Sequence, residues 1–136
     1  MRVVLDTNIL VSALIAPAGK PAAIYNAWAE GKFTLLTCAE HLQELLATLD
    51  KPRVSELIKP YKAGRLVNQI KSLAEDVGAL PPVHRSPDPT DDFLLALPEA
   101  GNADYLVTGD KSGLLALGRH KATRIISASD FAPLVA

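Results

Sequence analysis

Two short apolar runs in this chain end in the same way. Val3-Val4-Leu5 runs into Asp6-Thr7-Asn8, and Tyr105-Leu106-Val107 runs into Thr108-Gly109-Asp110. Brief apolar runs of this kind, bounded by polar or turn-forming residues, read as buried strands. If both lie parallel in one sheet, Asp6 and Asp110 stand beyond the carboxyl ends of their strands. That edge is where open α/β sheets bind their ligands.

The segments between support such a sheet. Helices are expected over residues 7–14, 21–30 and 39–49, and one or two more over 54–76, divided near Pro60. Short helices are expected over 90–97, 111–117 and 129–135. Residues 33–37 and 124–127 read as further strands, and 104–108 as the strand before Asp110. Thr37 and Glu40 have capping-box spacing, and Leu42, Leu45, Leu46 and Leu49 then recur at helical spacing. Pro81-Pro82 opens a turn-rich linker that runs through Ser86-Pro87-Asp88-Pro89. Strands alternating with helices imply a parallel sheet flanked by helices. At 136 residues, 49% of them hydrophobic, the chain fits a single domain over 1–136 with one core.

Composition narrows the class further. A lone Cys38 cannot form an internal disulfide, so a reducing compartment and a buried structural thiol are expected. No signal peptide is visible, and the longest apolar stretch falls short of a membrane span, so the expectation is a soluble cytoplasmic protein with no membrane partner. A net charge of −1 argues against indiscriminate attraction to nucleic acid. The charges are unevenly spread, however. Lys51, Arg53, Lys59, Lys62, Arg65 and Lys71 are opposed only by Glu56, and an acid-rich segment follows from Glu75 to Asp110.

Four acids carry the chemical argument. Asp6 could simply cap the next helix, although Thr7 and Asn8 could cap it as well. Glu44 lies mid-helix before Leu45-Leu46, and no capping role accounts for it. Asp91 and Asp92 follow Thr90 at a helix start, where acids suit the helix dipole. The two can divide the work, one toward solvent and the other toward the sheet edge. Asp88, in a Pro-Asp-Pro turn, reads as a turn residue. Asp110 ends its strand as Asp6 ends the first. Brought within 4–6 Å, such carboxylates repel by roughly 4 kcal/mol per close pair at an effective dielectric near 20. A hard cation such as Mg²⁺ or Mn²⁺ removes the conflict. His41, His84 and His120 lack metal-ligand spacing and are expected in surface or structural roles. Neither a Gly-rich phosphate loop nor a Gly-x-Ser-x-Gly elbow is present.

Taken in order, these segments resemble the PIN-domain family of metal-dependent ribonucleases. The likeness rests on the opening strand with Asp6, on Glu44 within Glu40-His41-Leu42-Gln43-Glu44, on Asp88-Pro89-Thr90-Asp91-Asp92-Phe93-Leu94, and on Ala103 to Asp110. It implies a three-layer α/β/α sandwich around a central parallel sheet. It also implies catalytic and metal-holding roles for Asp6, Glu44, Asp92 and Asp110, with Asp92 preferred over Asp91 by its distance to the next strand. Asn8, Ser12, Asp91 and Thr108 become supporting polar residues. The branch it most resembles comprises toxin components of bacterial toxin–antitoxin modules. For that branch the implied substrate is single-stranded RNA, the partner an antitoxin, and the assembly a homodimer or higher oligomer. Lys51, Arg53, Lys59, Lys62 and Arg65 are the candidates to hold the RNA backbone. Two departures stand out. Pro98 should end or kink the helix after Leu97, and Lys111-Ser112-Gly113 replaces a further acid.

Two rival readings stay open. A receiver-type or other acidic-pocket phosphotransfer domain also puts aspartates at strand ends, but it would use a second early acid where Thr7-Asn8 stands. A catalytically silent PIN-like binding module would keep the acids and act through a partner.

Overall fold

Side-chain alternation along the strands sets the layers. In β1 (Arg2–Leu5) Val3 and Leu5 join one core cluster and Val4 the other. The same split divides Leu35 from Leu36 and Val107 from Leu106. Successive strand residues point to opposite faces, so a sheet apolar on both faces must be covered on both sides.

The computed structural model describes residues 1–110 and 112–136. After β1 come α1 (Thr7–Ile15), α2 (Lys20–Ala29), β2 (Thr34–Thr37), α3 (Ala39–Leu49), α4 (Pro52–Ser55), α5 (Pro60–Leu73) and β3 (Glu75–Asp76). A 3₁₀ turn at Pro89–Asp91 leads into α6 (Phe93–Gly101), then β4 (Tyr105–Val107), α7 (Leu114–Leu117), β5 (Arg119–His120), β6 (Thr123–Ile126) and α8 (Ala128–Phe131). The sheet order is β3-β2-β1-β4-β6-β5, parallel throughout except that β5 runs antiparallel to β6. On one face Val3, Leu5, Leu35 and Val107 pack with Leu10, Ile24, Leu45, Leu66 and Phe131. On the other, Val4, Leu36, Leu106 and Ile125 pack with Leu94, Leu95 and Leu97 of α6 and Leu114 of α7. Each fully buried aliphatic side chain contributes about 1.5–3 kcal/mol, and a one-residue slip would exchange the two sets. The register is therefore fixed, and the architecture is the expected α/β sandwich.

The chain moves outward from β1 through β2 to β3, then crosses to β4 on β1's other flank. Strand order reverses there, which in such sheets opens a crevice at the carboxyl ends. The Asp6 amide donates to Val107 O at 2.9 Å, tying β1 to β4 at that edge. Among the described residues no single helix is long and apolar enough to cross a membrane.

Several local expectations need correction. The helical reading of 54–76 runs through β3; α5 stops at Leu73, and Glu75 and Asp76 pair with Leu36 and Thr37 of β2. These two acids have little strand propensity, and the pairing is a backbone matter that side chains do not announce. The Thr37–Glu40 capping box is absent: Cys38 is the N-cap of α3 and makes no side-chain cap bond, because Thr37 belongs to β2. The helix expected over 90–97 starts only at Phe93 and continues past Pro98 to Gly101. Proline removes one helical hydrogen bond, but Leu94, Leu95, Leu97 and Pro98 are all buried, and packing holds the helix together. At its end, a Cβ on Gly101 would lie 2.6 Å from Leu36 Cδ1, so glycine permits the close approach of α6 to β2. β5 was not expected. The helix expected over 111–117 begins at Lys111, which lies outside the described residues, and its observed part is Leu114–Leu117.

Candidate active site

Asp6 follows β1 directly and is 7% exposed. Its Oδ2 accepts a hydrogen bond from Thr108 Oγ1 at 2.7 Å, and the same hydroxyl accepts the Asp110 amide at 3.2 Å. Thr108, wholly buried at the exit of β4, thus links the two strand-end acids through one oxygen. Burial pushes the Asp6 carboxyl above the usual range; the Thr108 bond opposes this, and the charges of Glu44 and Asp110 add to it.

Asp110 is held by the backbone that follows it. Gly113 N–H donates to Oδ1 at 3.1 Å and Leu114 N–H to Oδ2 at 3.3 Å. Each oxygen keeps a lone pair for another partner. A Cβ at position 113 would fall 1.9 Å from Asp110 Oδ2, so the carboxylate fills the space that a side chain would need. Glycine in the replaced Lys111-Ser112-Gly113 stretch therefore serves the acid's placement.

The Asp91/Asp92 pair resolves against the sequence-based preference. Asp92 Oδ1 accepts the amides of Ser86 at 2.8 Å and Arg85 at 3.2 Å, and its Oδ2 lies 4.0 Å from His84 Nδ1. It pins the incoming linker. Asp91 instead sits in the field of Asp6, Asp88, Asp110 and Glu44; burial and these charges push its carboxyl up to about 6. The cause is local geometry. Asp88 Oδ1 accepts from Thr90 N and Oγ1, forming a 3₁₀ turn that ends on Asp91, while Asp92, one residue on, turns to the linker amides. Counting back from the next strand could not reveal this. The signal that could have done so is the Asp-Pro-Thr-Asp turn itself.

Glu44 reaches the group from α3, half-buried, and its charge acts on both Asp6 and Asp91. Among the described residues no Lys or Arg pairs with Asp6, Glu44, Asp91 or Asp110. Such a donor set, all carboxylate and without a counter-charge, has the chemistry of a hard-cation site. Among the described residues no three His, Cys, Asp or Glu side chains are already close enough to grip an ion between them. Binding would therefore use waters or small rotamer changes. Asp6, Glu44, Asp91 and Asp110 are the residues that could hold it.

The remaining expected residues are more scattered. Asn8 is exposed and Ser12 half-buried on α1. Lys51 and Lys59 occupy the N-cap positions of α4 and α5, and Arg53 lies exposed on α4. Lys62 and Arg65 line a cleft between α5 and α1–α2. A separate cavity of about 430 Å³ under Leu46, Leu49, Ile58 and Val67 holds none of the four acids. Cys38 is buried. His41 is buried beside Phe93, its pKa lowered by burial to about 4. His120 accepts from Arg85 Nη1 at Nδ1 and faces Glu99 through Nε2, while His84 is exposed.

A comparison with curated proteins gives no match. Residues 2–112, most of the chain and every acid above, match the PIN domain family, whose fold is nuclease-type. With strand-exit acids at the switch point of a parallel sheet and that match across them, this chain belongs to the PIN domain family.

Proposed function

We propose that this protein is a divalent-metal-dependent endoribonuclease acting on single-stranded RNA, and that it serves as the toxin of a toxin–antitoxin module. The observation that carries the nuclease reading is the pair of strand-exit acids, Asp6 and Asp110, joined through the buried Thr108 hydroxyl, with Glu44 and Asp91 near enough for their charges to act on or feel Asp6. The toxin assignment, the antitoxin partner and a homodimeric or higher assembly rest on the motif resemblance. In this reading the four acids hold Mg²⁺ or Mn²⁺ directly or through water. A bound hard cation supplies a water of lowered pKa and offsets charge on the leaving oxygen. Thr108 keeps Asp6 Oδ2 in place, and the Gly113 and Leu114 amides keep Asp110 aimed. These contacts orient the carboxylates before substrate arrives. Asp92 has no part in the chemistry; it fixes the linker.

The test is cleavage of a single-stranded RNA by purified protein with Mg²⁺ or Mn²⁺, with excess chelator, and with Asp6→Asn. Chelator should abolish cleavage, and Asp6→Asn should lower its rate on the order of 10²–10³-fold. Cleavage that survives both would overturn the mechanism.

A further inference from the structure

The cleft between α5 and the α1–α2 pair combines features that the acid site does not use. Tyr61 projects from α5 with 64% of its surface exposed, an unusual position for an aromatic side chain in a chain with only 5% aromatics. It shares the cleft with Lys62, Arg65 and Tyr25, and with the amides of Asn26 and Gln69. Tyr25 donates its hydroxyl to Gln69 Oε1, which fixes one ring and one amide across the cleft. Among the described residues neither Lys62 nor Arg65 is paired with an acid. The cleft holds about 300 Å³.

We propose that this cleft is a nucleotide subsite for single-stranded RNA, in which Tyr61 stacks on an unpaired base while Lys62 and Arg65 hold the adjoining phosphates. An aromatic face beside free cations is the combination that single-strand binders use, because every base offers a π-face and every linkage a charge. Asn26 and Gln69 supply donors and acceptors that can read the base edge. The cleft includes Ala13 and Leu14 of α1, the helix that begins at Thr7 next to Asp6. At 1.5 Å per residue they lie roughly 10 Å along that helix from its start, within reach of one strand that also crosses the acids. Of the five basic candidates named from sequence, this singles out two.

The inference rests on the nuclease reading, and the experiment keeps the two apart. Binding of a mixed-sequence single-stranded oligoribonucleotide is measured in excess chelator, where cleavage plays no part. Tyr61→Ala should weaken it about 5- to 100-fold, and Tyr61→Phe, which keeps the ring, should restore it. Arg65→Ala should flatten the salt dependence by roughly 0.7 in the log–log slope, the loss of one phosphate contact. The same RNA as a duplex, its bases already stacked, should bind wild type and Tyr61→Ala alike. Equal binding of single strands by wild type and Tyr61→Ala, or equal weakening by Ala and Phe, would overturn the subsite. RNA that is cleaved without regard to Tyr61 defeats the subsite alone. RNA that is bound through Tyr61 but never cleaved defeats the nuclease reading alone.

Discussion

The two ends of the parallel strands treat acids in opposite ways. At the amino end, Arg2 gathers its neighbours: its guanidinium pairs with Glu75 of β3, its Nε donates to Gly101 O at 2.7 Å, and its amide donates to Asp104 Oδ2 at 2.8 Å. The carboxyl end assembles Asp6, Glu44, Asp91 and Asp110 with no described cation to balance them. One end uses its charges to fasten β1, β3 and α6 together. The other accumulates like charge at some cost to the fold, a repulsion that a bound hard cation would relieve.

The largest effect should separate the adjacent aspartates of the acidic end. Asp91→Asn should lower RNA cleavage on the order of 10²-fold and, without metal at neutral pH, raise Tm slightly. Asp92→Ala should leave the rate within about tenfold but destabilise by about 1–3 kcal/mol, since the amides of Arg85 and Ser86 lose their acceptor. Steady-state cleavage and thermal melts check both, and a reversed pattern would return Asp92 to the site.

A smaller effect lies in pH. The Asp91 pKa is raised to about 6 from an ordinary 3.8, so its cost is absent below about pH 4, grows toward pH 6 and is complete above it. Melts in chelator should show Asp91→Asn gaining on wild type across that window and matching it below. Glu75, lowered chiefly by its Arg2 bond, works in the other sense: its contribution stands above the usual glutamate range and fades as pH falls through the lowered value. His41, neutral in the fold with a pKa near 4, also weakens the protein as pH falls from 6.5. It is common to wild type and variant, so it cancels in the difference. The smallest effect belongs to the amino end. Arg2→Ala should cost roughly 2–5 °C of Tm and leave cleavage unchanged, and any loss of activity would blur the contrast between the two ends.

How far the sequence could be read follows the same division. Asp6 and Asp110 were legible because each is the residue that closes a strand or its turn, and a strand's exit is set by its own few residues. Glu44 was legible through the helix over 39–49, whose bounds the leucine spacing sets. Asp91 was not, because its direction depends on a 3₁₀ turn capped by Asp88, and one residue of difference swings an acid by about a third of a turn. Gly113 carried no signal at all: its value lies in the absence of a side chain where the Asp110 carboxylate rests. Arg2 was silent for a similar reason, since its partners lie 73 and 102 residues away. Pro98 misled because propensity is local, whereas burial of the residues before it decides the helix.

The margins of the sheet carry a last consequence. β3 and β5 are each two residues long, and β5 runs against its neighbour. A second polypeptide trying to extend this sheet would find too little free backbone to grip. Growth into fibrils or strand-swapped pairs by pairing at these margins is thereby discouraged.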